Sequence, residues 1–78
     1  MTNTEKLNEI LCDVFITEEN QLADLKFGSK NWDSIGHMQM ISKLEETFGI
    51  SISPDDIVKM GTYDDVKKVL EESCGVNF

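Results

Sequence analysis

The stretch Asp33-Ser34-Ile35-Gly36-His37-Met38-Gln39-Met40-Ile41-Ser42-Lys43-Leu44-Glu45-Glu46-Thr47-Phe48-Gly49 decides how the rest of this chain is read. It opens on an acid and a hydroxyl residue that suit a helix start, and it closes on a glycine that suits a left-handed helix end. Successive helical residues turn by about 100°, so the stretch sorts into two faces. His37, Met40, Ile41, Leu44 and Phe48 fall together and predict a core stripe. Ile35, Met38, Gln39, Ser42, Glu45 and Glu46 fall on the other side. The spacing thus predicts a helix from about Ser34 to Phe48, with Ile35 and Met38 left at its outer edge. Ser34 stands at the exposed start. Unpaired N–H groups and the positive dipole end make that a suitable place for an anion such as a covalently held phosphate.

On the N-terminal side, Thr2-Asn3-Thr4-Glu5 reads as a capping box. Leu7, Ile10, Leu11, Val14 and Phe15 follow at helical spacing, giving a first helix that ends near Ile16. The segment from Thr17 to Trp32 reads as an ordered loop with a short turn of helix, tied down by Leu22, Leu25 and Phe27. Gly28-Ser29-Lys30-Asn31 is a turn cluster before the second helix.

On the C-terminal side, Ile50 and Ile52 alternate with Ser51 and Ser53, which allows a short extended stretch. Ser53-Pro54-Asp55-Asp56 starts a short third helix containing Ile57, Val58 and Met60 and stopped by Gly61. Thr62-Tyr63-Asp64-Asp65 caps a fourth helix, with Tyr63, Val66, Val69 and Leu70 inward and an Asp64–Lys68 pair outside. Residues from about Ser73 are expected to fray. Met60 and Tyr63 fall near the junction of the third and fourth helices, as core or as the lining of a space for apolar cargo. The expected fold is all-α: a small four-helix bundle of three longer helices and one short one, in a single domain spanning residues 1–78.

The chain carries 15 acidic residues against 7 lysines and no arginine, a net charge of −8. Nucleic acid and anionic membrane surfaces are poor partners for such a chain, because both are met by Lys/Arg clusters. A basic protein surface is the natural partner, with encounter steered by charge. A hydrophobic content of 40% exceeds that of a disordered acidic tail. Cys12 and Cys74 form no C-x-x-C motif, and His37 is the lone histidine that could join them as a metal ligand, so no metal site is expected. Two separated thiols point to a reduced, cytoplasmic protein. No signal peptide and no apolar run of about 20 residues is present.

With these residues in view, the chain resembles acyl carrier proteins and peptidyl carrier domains. The likeness covers nearly the whole chain. It rests on Asp33-Ser34-Ile35, on Leu44-Glu45-Glu46-Thr47-Phe48-Gly49-Ile50-Ser51-Ile52, on Asp55-Asp56-Ile57 and on Gly61-Thr62. An Asp-Ser-aliphatic triplet alone is unspecific, but followed at this distance by the Leu-Glu-Glu-x-Phe-Gly-Ile run it is strong. The resemblance implies that Ser34 carries a 4′-phosphopantetheine arm, installed from coenzyme A by a phosphopantetheinyl transferase. The arm's thiol would hold acyl or aminoacyl groups as thioesters and present them to partner enzymes. Such a carrier is a monomer and not itself an enzyme. It acts by tethering and effective concentration. Ile35, Met38, Glu45 and Glu46 are the expected docking residues for basic partner surfaces. Trp32, Gly36, His37, Gln39 and Lys43 depart from the commonest fatty-acid carriers and point to a specialised pathway, with Gly36 read as loosening the first turn.

Two other readings stand beside this one. A hydrolase would use Asp33, Ser34 and His37, since Ser34 and His37 are spaced to touch on a helix. It would lack a Gly-x-Ser-x-Gly elbow and room for a substrate cleft. An unmodified acidic interaction module is the other; its calcium-binding version fails for want of the Asp-x-Asp-x-Asp-Gly loop.

Overall fold

The computed structural model describes residues 1–29 and 31–78. Lys30, part of the expected turn cluster, lies outside the described residues. Helix α1 spans Asn3–Phe15, α2 spans Ser34–Phe48, α3 spans Pro54–Ile57 and α4 spans Tyr63–Cys74, with a 3-10 helix at Glu19–Asp24 between α1 and α2. Among the described residues no strand forms. The extended backbone of residues 50–53 pairs with nothing as a strand, and a single antiparallel bridge joins Lys26 to Thr62.

Local chemistry sets each boundary. The Thr2 hydroxyl accepts the Glu5 N–H and the Glu5 carboxylate accepts the Thr2 N–H, which closes the capping box and holds the Glu5 carboxyl below its usual range. Asp33, Ser53 and Thr62 cap the other three helices by accepting the N–H three residues on. Gly49 and Gly75 end α2 and α4 in the left-handed conformation. Helix α1 ends differently. Ile16 takes that conformation (φ 51°), a costly one for a β-branched residue, and its side chain is 79% exposed. The Ile16 and Thr17 N–H groups both reach the Cys12 carbonyl, and the Asn31 amide donates to the Phe15 carbonyl.

The core lies between α1, α2 and α4, from Leu7, Leu11 and Phe15 through Met40 and Leu44 to Val66 and Leu70, with Leu22, Leu25, Trp32 and Met60 supplied by the connections. Trp32 is the largest of these, 1% exposed and stacked on Phe15 at 4.5 Å. Burying an indole contributes on the order of 4–6 kcal/mol before entropy is counted.

Several details differ from the sequence reading. Phe27 is half exposed and meets the buried His37 ring edge-on, while Leu22, Leu25 and Trp32 are buried in that segment. The third helix stops at Ile57, short of Gly61, because Lys59 and Met60 make tighter turn bonds to Asp56 and Ile57 instead. Met60 is fully buried, as expected of core, while Tyr63 is half-buried with its hydroxyl donating to the Asn8 amide oxygen. The C-terminal residues do not fray. The Val76 N–H bonds the Leu70 carbonyl, Val76 is buried, the Asn3 amide donates to the Asn77 carbonyl, and Phe78 packs edge-on to Phe48. Among the described residues the ion pair formed is Lys59–Asp56 at 3.9 Å rather than Asp64–Lys68.

Candidate functional site

Ser34 is the first residue of α2 and is exposed. The Asp33 carboxylate accepts the Gly36 N–H at 2.8 Å, and the Asp33 carbonyl accepts the His37 N–H at 2.8 Å. This cap fixes the first turn, so the Ser34 hydroxyl stands at the positive end of the helix. The serine occupies a rim between two concavities. One is an open groove between α1 and α2, lined by Val14, Ile35, Met38 and Glu46 among others. The second is a smaller apolar cavity of about 460 Å³ between α2 and α3, lined by Phe27, Ser34, His37, Met38, Ile57 and Val58.

Around the serine the first turn is closely fitted. Gly36 is buried, and a Cβ built there would lie 2.7 Å from the Asn31 carbonyl oxygen and 3.2 Å from the Phe15 ring. Those contacts are too close for any side chain. Gly36 therefore does not loosen the turn, as its propensity suggested; it admits the Asn31 backbone and the Phe15–Trp32 stack against α2. His37 is buried, and its two ring nitrogens are both engaged. Nδ1 accepts the Trp32 indole N–H at 2.9 Å, and Nε2 donates to the Ile57 carbonyl at 2.7 Å. Trp32, Gly36 and His37 thus form one interlocking set inside the protein. Of the departures noted in the sequence, Gln39 and Lys43 are the exposed ones.

The same geometry separates Ser34 from His37 as a catalytic pair. The serine faces solvent while the imidazole has no free nitrogen to take its proton. The cysteine thiols are free and half-buried, and burial with nearby acids raises both above the usual thiol range. That keeps them protonated and poorly nucleophilic. Among the described residues, no cluster of His, Cys, Asp or Glu could hold a metal ion and no helix is long and apolar enough to cross a membrane.

The outer face of α2 is only partly as expected. Ile35 is 71% exposed, and Met38 and Glu46 are exposed with it. Glu45 is different: it is half-buried, and its carboxylate accepts the Ile52 N–H at 2.8 Å. It ties the end of α2 to the following loop. Helical angle alone could not find this, because the partner is a backbone group seven residues away. The sequence reading also missed the Trp32–His37 bond. The one available signal was a lone histidine on a core stripe, which needs buried partners for both ring nitrogens.

A family model for the phosphopantetheine attachment site matches residues 5–70. Neither the curated proteins nor the solved structures gave a match.

Proposed function

This chain belongs to the phosphopantetheine-attachment family, defined by a covalent 4′-phosphopantetheine arm, and we propose from that premise that Ser34 is the arm-bearing residue of an acyl or aminoacyl carrier. The observation that carries the reading is the position of Ser34, an exposed hydroxyl at a capped helix start on the rim of an apolar cavity. A phosphodiester on that oxygen would sit at the positive end of α2, which favours the anion. The arm would supply a thiol for thioester cargo. The protein's own residues hold the attachment point, orient it by the Asp33 cap and offer an open, largely apolar space beside it. Such a carrier lowers no barrier itself; it raises the effective concentration of cargo at successive enzymes.

Docking would use Ile35, Met38 and Glu46, which lie beside Ser34 or along the same groove. Partners of basic surface fit the net charge of −8, and the weak, salt-sensitive association that such charge gives suits exchange between enzymes. A dedicated cytoplasmic biosynthetic pathway and a monomeric carrier complete the proposal.

The test is the intact mass of the purified protein after incubation with coenzyme A and a broad-specificity phosphopantetheinyl transferase. The expected result is a gain of one phosphopantetheine, absent in Ser34→Ala. No gain, or a gain that survives Ser34→Ala, contradicts the proposal. Met38→Ala and Glu46→Lys should slow loading several-fold with helicity unchanged; normal rates in both would remove the outer face of α2 as the contact surface.

A further inference from the structure

The His37 imidazole lies between two groups that each form one kind of hydrogen bond. The indole nitrogen of Trp32 donates and never accepts, and the Ile57 carbonyl oxygen accepts and never donates. With Nδ1 at 2.9 Å from the first and Nε2 at 2.7 Å from the second, the ring must be neutral with its proton on Nε2. The bonds run in one direction, from Trp32 through His37 to Ile57. The ring plane is held as well. The Trp32 and His37 rings lie edge to edge and only 25° from parallel, as the bond between them requires, and Phe27 meets the imidazole edge-on at 5.5 Å.

This chain of bonds reaches α3 itself, whereas the other links from the loop before α2, Phe27 N–H to the Gly61 carbonyl and the Lys26–Thr62 bridge, fall beyond its end. Trp32 belongs to the closely fitted loop before α2, anchored on Phe15. Ile57 is the last residue of α3, a helix of four residues none of which is fully buried. Ile57 and Val58 form the cavity wall opposite α2, with Ser34 on the rim. At α3 itself the polar tie to the fixed side of the cavity is the His37 imidazole; Ile57 also packs part-buried against the core.

We propose that His37 is a positioning residue: oriented by Trp32, it holds the Ile57 carbonyl and thereby sets how closely α3 stands to Ser34 and how large the cavity beside it is. The geometry is independent of any modification. The consequence for cargo rests on the reading of Ser34 given above.

One histidine and one tryptophan occur in the chain, so their signals are unambiguous. Nitrogen-15 NMR of the full-length unmodified protein at neutral pH should show the Nε2–H form of His37. It should also show a through-bond coupling from the Trp32 indole nitrogen to His37 Nδ1. The opposite tautomer, or no coupling, overturns the proposal. Trp32→Phe keeps an aromatic ring on Phe15 and removes the donor together with part of the indole's volume. Losing that bond should speed amide exchange at Ile57 and Met60 about tenfold relative to Leu44 in α2. Unchanged exchange at the α3 amides overturns it too. On protein loaded with a hexanoyl-phosphopantetheine probe, Trp32→Phe should hydrolyse its thioester several-fold faster than wild type, and equal rates contradict control of the cavity. Should Trp32→Phe not fold, the tautomer and coupling still decide. Should wild-type protein refuse the probe, the arm on Ser34 fails while the NMR and exchange results judge His37 separately.

Discussion

The first turn of α2 and the short helix α3 face each other across one cavity, and they are held in opposite ways. The α2 turn is over-determined. Asp33 caps it, Gly36 admits the Asn31 carbonyl, and Trp32 stacks behind it on Phe15. Helix α3 has a serine cap, a surface ion pair from Asp56 to Lys59, a part-buried Ile57 and one bond from His37 to its last carbonyl. A surface ion pair contributes little, roughly 0–1 kcal/mol. The lesson is that Ser34, the proposed attachment residue, sits on the closely fitted wall, while the wall opposite is a short helix with no fully buried residue.

The largest expected effect falls on the rigid side. Gly36→Ala should destabilise the protein by about 1–3 kcal/mol in urea unfolding, because the overpacked contact exceeds what helix propensity returns. A more stable variant would show that the turn is not closely fitted. Trp32→Phe should cost about 1–3 kcal/mol in the same measurement, since it leaves His37 Nδ1 buried and unpaired and a smaller ring in the indole's place. Ser53→Ala removes the α3 cap and should cost about 1 kcal/mol. It should act locally, with faster exchange at Asp56 and Ile57 and protected amides kept in α1 and α2. Loss of protection throughout would mean that α3 is part of the global unit and the comparison fails. Val58→Ser, on an exposed side chain of the α3 wall, should leave the unfolding free energy within about 0.5 kcal/mol of wild type.

Much of this was legible in the sequence where the rule is local. The caps at Thr2, Asp33, Ser53 and Thr62, the glycine after α2 and the core stripe of α2 follow from spacing and side-chain chemistry within a few residues. Ser34 as a candidate needed no more than its place at a helix start and the Leu-Glu-Glu-x-Phe-Gly run that follows. What the sequence did not show depends on distant pairing. Glu45 sits on the outer face by angle, yet a loop amide turns it into a structural group. Gly36 reads as a weak helix former until the Asn31 carbonyl is placed against it. The C-terminal residues look frayed until the Asn3–Asn77 bond and the Phe48–Phe78 contact bring the two ends of the chain and α2 together. Trp32 and His37 are five residues apart, but no rule of helical spacing links a loop indole to a helix imidazole.

The central claim is that the arm hangs from the rigid wall, at Ser34. Trypsin cuts after Lys30 and Lys43, so residues 31–43 come off as one peptide holding both Ser34 and Ser42. Fragmentation of that peptide from transferase-treated protein should place the whole phosphopantetheine mass on Ser34, with Ser42 unmodified. A modification on Ser42, or on any peptide outside residues 31–43, would contradict the account.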